Sequence, residues 1–169
     1  MKRNLLIVLL GLFFYNSSFS QSGYSTWDKN YSEINLVELL NYEKHYADSI
    51  EKDKTIPPYY YSTGKYRFKA IYLGEIRKLD SAIRQSMMNV YSMQIGDVAN
   101  LNKLLDKEVL FEVDGQKIWM PIQIQLEDDL HAEMTKGDVA TLYCLHFNEH
   151  KFNNTLYNIF LISEFIKEE

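Results

Sequence analysis

Residues 109–126 read Val-Leu-Phe-Glu-Val-Asp-Gly-Gln-Lys-Ile-Trp-Met-Pro-Ile-Gln-Ile-Gln-Leu, and their alternation decides the fold. Val109, Phe111 and Val113 take every second position, Asp114-Gly115 interrupts, and the alternation resumes through Ile118, Met120, Ile122, Ile124 and Leu126. A period of two puts one set of side chains on one face of a strand. Asp-Gly between two such runs predicts a hairpin, because both residues tolerate the positive φ of a type I′ turn. Pro121 has no N–H to give a ladder, so it demands an edge or a bulge.

Downstream, residues 127–135 (EDDLHAEMT) predict a brief helix ended by Lys136-Gly137-Asp138. Two further strands follow at 139–147 and 156–165, joined by a polar loop at 148–154. Upstream, Tyr66, Phe68, Ala70 and Tyr72 alternate with Lys65, Arg67, Lys69 and Ile71, which predicts a long strand. Gly74 interrupts it where glycine adds nothing to a strand, so a bulge or bend is expected there. Residues 87–95 read as a further strand, and Asp97 as the cap of a short helix through Val98, Leu101 and Leu104.

Before the strands, Ile34, Val37, Leu40, Tyr46, Ala47 and Ile50 recur at helical spacing. They predict a helix over 33–52 with Ser32 as N-cap and Tyr46 on the docking stripe. Ile56-Pro57-Pro58 ends it, since proline restricts the residue before it and neither ring nitrogen donates. Residues 21–30 are polar and are expected to be irregular.

The resulting order, helix and then strands with a short helix before the last two, is that of an OB-like Greek-key β-barrel, mainly β with α, preceded by an N-terminal helix. Residues 117–151, KIWMPIQIQLEDDLHAEMTKGDVATLYCLHFNEHK, are similar to the latter half of OB-like domains in uncharacterised exported bacterial proteins. There a Lys-Gly-Asp turn feeds a strand of the type Val-x-Thr-Leu-Tyr, here Val139-Ala140-Thr141-Leu142-Tyr143. The resemblance implies a fold and carries over no catalytic residues. The extra strand implied by the Asp114-Gly115 hairpin departs from a minimal five-stranded barrel.

The opening residues set the compartment. Lys2 and Arg3 precede the 11-residue apolar run LLIVLLGLFFY at 5–15, with small Ser18 and Ser20 two apart. That pattern predicts a signal peptide over 1–20 cleaved before Gln21, because a membrane anchor needs about 20 apolar residues. The expected organisation is thus signal peptide 1–20, N-terminal helical segment 21–56 and barrel domain 57–169, in a periplasmic or secreted protein. The whole chain carries 18 Lys and Arg against 23 Asp and Glu, a charge of −5; without Lys2 and Arg3 it becomes −7. Such acidity disfavours nucleic acid, whose affinity comes mostly from neutralised phosphates. Cys144 is the only cysteine, so no internal disulfide forms, and its place in a strand predicts a buried, inert thiol.

Three constellations bear on function. Residues 65–84 hold Lys65, Arg67, Lys69, Arg77, Lys78 and Arg84 against Glu75 and Asp80, a local charge of +4. Lys65, Arg67 and Lys69 share one strand face, with Tyr59, Tyr60 and Tyr61 just upstream, so these six residues are the candidate binding set. The plainer reading is that a half-buried strand turns its charges to water while its aromatics fill the core. His146 and His150 are the nearest approach to a metal pair, but residues four apart on a strand lie about 13 Å from each other, so they read as surface residues rather than ligands. The acidic run Glu127, Asp128, Asp129, His131 and Glu133 reads as a solvated helix start.

No nucleophile elbow, phosphate loop or dinucleotide fingerprint occurs, and no cofactor is expected. The reading that results is an exported, non-enzymatic module that binds a protein or peptide through an edge strand or an aromatic face. A metal-assisted hydrolase using His146 and His150 is the alternative. Binding of nucleic acid or another acidic polymer through the basic strand is the third.

Overall fold

The computed structural model describes residues 21–53, 55, 57, 59–94, 96, 98–151 and 153–169; the signal peptide expected at 1–20 and the cap expected at Asp97 lie outside them. The described chain divides after Asn30, and the second unit is Tyr31–Glu169. Within the first unit, Gln21–Asn30 is helix α1 rather than irregular chain. Asn30 Nδ2 donates to the Thr26 carbonyl (2.9 Å), and Lys29 lies in the last turn, where a cation meets the negative end of the helix dipole.

The second unit opens with a two-residue strand β1 (Ser32–Glu33) and helix α2 (Leu36–Lys52). The N-cap is Asn35, not Ser32: its Oδ1 accepts the Glu38 N–H at 3.1 Å, while Ser32 pairs in parallel with Tyr66. Strand β2 (Tyr60–Lys78) follows, then helices α3 (Ser81–Gln94) and α4 (Val98–Lys103). Helix α3 replaces the strand expected at 87–95. Asp80 Oδ1 accepts the N–H groups of Ala82 (2.7 Å) and Ile83 (3.3 Å), which starts a helix, and buried Met87 and Val90 continue from Ile83 at steps of four and three.

Strands β3 (Leu105–Val113) and β4 (Gln116–Gln123) form the expected hairpin, with Asp114 at φ 48° and Gly115 at φ 80°. Strand β4 stops sooner than its alternation suggests. Residues Ile124–Leu126 form a 3-10 turn held by Ile124 N–H on the Leu104 carbonyl (3.0 Å), and Ile124 is exposed. Helix α5 (Glu127–Glu133) leads to strands β5 (Val139–Lys151) and β6 (Thr155–Lys167). Strand β5 runs four residues past the expected end. The reversal is made by Asn153 and Asn154, both at positive φ, a conformation asparagine tolerates.

The strands form one six-stranded sheet in the order β1-β2-β3-β4-β6-β5, and β5 pairs again with β2, so the sheet closes in a ring. All pairings are antiparallel except β1–β2 and the β4–β6 seam, which consists of Ile122↔Ile162. Pro121 sits beside that seam, where no continuous ladder needs its missing N–H. Strand β2 serves two neighbours, β5 along Tyr60–Ile71 and β3 along Ile71–Lys78. The exchange occurs at a register shift between Tyr72 and Ile76 that contains Gly74 at φ +75°. With helix and strand both prominent, the chain is mixed α/β rather than mainly β.

Inside the ring, Phe68, Phe111, Met120, Ile122, Leu142, Cys144, Phe160 and Ile162 pack with Leu36 of α2 and Leu130 of α5. A second cluster joins Met87, Val90 and Leu101 of α3 and α4 to Phe147, Ile159 and Leu161 on the other face of β5 and β6. Past the ring, β2, β5 and β6 therefore form a sheet flanked by α2 on one face and α3 on the other. Each fully buried side chain of this size contributes about 1.5–3 kcal/mol.

Candidate functional site

The flanked end of the sheet gathers most of the residues singled out by the sequence. Tyr60 is paired with His150 and Tyr61 with Glu149, so alternation sends Tyr60 toward α2 and Tyr59 and Tyr61 toward α3. Tyr60 stacks on His150 (5.3 Å between centroids, 11°) and stands edge-on to Tyr46 (4.9 Å, 75°), which in turn lies parallel to Tyr42. Tyr46 is thus exposed beside the docking stripe, not part of it. Tyr59 packs against Tyr61, and its hydroxyl reaches Glu149 Oε1 (3.2 Å) and Met93 Sδ (3.6 Å).

A buried polar network lies under the α2 side. Asn148 Nδ2 donates to Glu43 Oε2 (3.0 Å) and to Asn158 Oδ1 (2.7 Å), and the Tyr60 hydroxyl donates to Glu43 Oε2 (3.4 Å). His146 Nε2 is 3.1 Å from Asn158 Oδ1. An amide oxygen only accepts, so His146 carries its proton on Nε2 and donates. The imidazole stacks on Phe160 (4.6 Å, 15°) with Tyr66 at 5.5 Å. Burial holds its pKa down to about 4 against the opposing bond to Asn158, and burial also raises Glu43 against the opposing bond from Tyr60.

Both histidines are buried, which corrects the surface placement expected for them. His146 is engaged by Asn158, whereas His150 lies beneath Tyr60 with Nε2 3.3 Å from Glu51 Oε1. Among the described residues no group of three or more His, Cys, Asp or Glu side chains is arranged to hold a metal. Cys144 is buried in the ring, and burial pushes its thiol pKa up, away from the thiolate that would react.

On the α3 side, buried Glu149 is the central acceptor. Its Oε1 takes Tyr59 and Asn89 Nδ2 (3.0 Å), and its Oε2 lies 3.0 Å from Lys151 Nζ. Burial, followed by the charge of Glu149, pushes Tyr59 up to about 12.

Lys65, Arg67 and Lys69 occupy the face opposite Tyr60. Arg67 is paired with Glu33 (3.0 Å), Lys69 with Glu168 (2.6 Å), and Lys65 Nζ lies 6.0 Å from the centre of the Tyr31 ring. Two of the three cations thus face carboxylates of the same chain, and the three do not share a surface with the Tyr60 array. In the acidic run, Glu127 pairs with Lys107 (2.6 Å) in the first turn of α5.

Gly64 gives this end its shape. A Cβ there would stand 2.5 Å from Tyr66 Cζ, because the Tyr66 ring lies back over Gly64 to reach His146. Gly64→Ala is expected to displace that ring and destabilise the protein by about 1–3 kcal/mol in urea unfolding. An unchanged midpoint would refute the close approach.

Sequence reasoning missed Glu43, Asn148, Asn158 and Tyr42. The signal for Glu43 was present: it falls between Leu36 and Ala47 on the buried stripe, where a carboxylate demands partners. A groove of about 430 Å³ opens beside the network, with Leu40, Lys44, Ala47 and Asp48 of α2 on one side and Leu156 and Asn158 on the other. No family model, no curated protein and no solved structure matches this chain.

Proposed function

We propose that this chain is an exported, non-enzymatic binding module built on an OB-like barrel, and that its partner is a protein or peptide held on the tyrosine-lined end. The observation that carries the reading is a pair of exposed aromatic groups on the two faces of this end, Tyr42 and Tyr46 beside Tyr60 on the α2 face and Tyr61 and Met93 around Tyr59 on the α3 face. Large aromatics with polar tips contribute much contact area at low entropic cost, and isolated surface residues do not cluster in this way. The acid and base groups nearby, Glu43, Glu149 and His146, are buried and bonded to one another's neighbours, which favours a binding role over chemistry.

Support for the barrel comes from the closed order β2-β3-β4-β6-β5, the lone parallel seam β4–β6 and helix α5 between β4 and β5. With α3 in place of the strand expected at 87–95, five long strands, β2 to β6, make up the ring. Support for export is the leader pattern in residues 1–20.

Panning displayed random peptides on the full chain is expected to enrich ligands whose affinity falls at least about tenfold on Tyr46→Ser or Tyr61→Ser. No enrichment, or ligands indifferent to both substitutions, would overturn the reading.

A further inference from the structure

We infer that the outward face of α2 receives an arginine-bearing, cationic segment of the partner, an inference that rests on the peptide-binding reading above. Glu38, Tyr42, Tyr46, Ser49 and Asp53 follow one another at steps of four, four, three and four residues, which aligns them on one helix ridge. Tyr42 is 64% exposed and Tyr46 44%. Their rings are parallel within 5°, with centroids 6.3 Å apart, and Tyr60 braces Tyr46 from the side. The ridge therefore presents two exposed, parallel tyrosine rings, with the Glu38 carboxylate at one end and Asp53, whose Oδ1 accepts the N–H (2.9 Å) and hydroxyl (2.6 Å) of Thr55, at the other.

Charge selects the occupant. With Glu43 buried, the acids left outside between Glu38 and Asp53 are Glu38, Asp48, Glu51 and Asp53, against Lys44 and Lys52, a net −2 with histidine neutral. Lys44 is already held by Asp48 at 3.0 Å. An anionic partner is repelled by this surface and by the acidic chain as a whole, whereas a cation is drawn to it.

Geometry selects arginine over lysine. A guanidinium is flat: it can lay its face on a tyrosine ring while its in-plane N–H groups bond a carboxylate, which an ammonium cannot do. The chain already contains this arrangement. The Arg77 guanidinium lies 4.0 Å over the centre of the Trp119 ring while its Nε donates to the buried Glu108 carboxylate. The α2 ridge presents the same two kinds of receptor, aromatic ring and carboxylate, and among the described residues no cation is seated on the tyrosines.

Titration of the full chain with hexaarginine and hexalysine peptides tests the assignment, read by amide shifts of α2. Hexaarginine is expected to bind at least about tenfold more tightly than hexalysine. Tyr42→Ser/Tyr46→Ser leaves net charge unchanged and alters only exposed side chains, and it should weaken hexaarginine by at least about tenfold while hardly moving hexalysine. Glu38→Gln should weaken hexaarginine as well, with circular dichroism confirming that both variants keep the wild-type fold. Equal binding of the two peptides, or a tyrosine variant that binds hexaarginine as wild type does, would overturn the inference by showing attraction to net charge alone. Silence toward hexaarginine together with panned ligands that depend on Tyr61 would also overturn it, while leaving the broader peptide-binding reading in place. Panning that enriches nothing would remove both.

Discussion

Asn148→Leu is expected to lower stability by about 3–5 kcal/mol, the largest effect of any single substitution at this end of the molecule. Asn148 Nδ2 supplies one proton to Glu43 Oε2 and the other to Asn158 Oδ1; Glu43 and Asn148 are buried and Asn158 is half-buried. Leucine nearly matches the volume and removes both donors, so a buried carboxylate oxygen keeps only the longer bond from Tyr60. Breaking one partner of a buried charge is far costlier than removing both. Glu43→Leu/Asn148→Leu should therefore recover more than about 1 kcal/mol relative to the sum of the single changes. Urea unfolding of the three variants measures this. A loss below about 1 kcal/mol for Asn148→Leu alone would mean that the network is dispensable. Domains of this size hold about 5–15 kcal/mol in total, so the single change brings the chain near its folding threshold.

Acid should destabilise the protein in a window that His146 defines. Its folded pKa of about 4 lies below the ordinary 6.5, so the folded state resists protonation that the unfolded chain accepts. Between those values the unfolded state binds more protons, and stability rises with pH. The contribution is present in full above about 6.5 and is lost as pH falls through about 4, a change of about 3 kcal/mol. Glu43 acts in the opposite sense. Its raised pKa favours the protonated, folded form, so its contribution is present below the unfolded value of about 4.5 and is lost as pH rises through the folded one. Glu43→Gln removes that opposing slope and should steepen acid destabilisation, whereas His146→Gln should flatten it. Wild type and His146→Gln with parallel pH profiles between about 4 and 6.5 would show that burial does not act on the imidazole.

Several elements were legible because their signals are local. Asp114-Gly115 between alternating runs specified the hairpin, since the turn needs positive φ at two adjacent positions and few residue pairs tolerate it. Gly74 marked the bulge in β2 for the same reason. Residues 87–95 were misread because a run of apolar residues fits either period until its start is identified. Asp80 lies seven residues before that run, and its cap on Ala82 and Ile83 decides for the helix.

The candidate site was legible in part. Tyr59, Tyr60 and Tyr61 drew notice as a cluster, yet a strand necessarily divides neighbours between two faces, and only pairing with β5 reveals that Tyr60 joins α2 while Tyr59 and Tyr61 join α3. Lys65, Arg67 and Lys69 stood out as an uncompensated basic strand because Glu33 and Glu168, which pair with Arg67 and Lys69, lie 34 and 99 residues away in the chain.

By itself, then, the sequence determined the alternation of β2 and of the β3–β4 hairpin, the turn at Asp114-Gly115 and the bulge at Gly74. It also set the overall acidity. Only the tertiary structure decided which polar groups are buried and which aromatics face water. Glu43 and Asn148 are 105 residues apart and Tyr46 and Tyr60 are separated by a chain reversal, so their meeting depends on the closed ring and on α2 docking across it. The physical reason is range. Turn chemistry acts over a few residues, whereas desolvation and hydrogen-bond satisfaction depend on whatever part of the chain folding brings within a few ångströms.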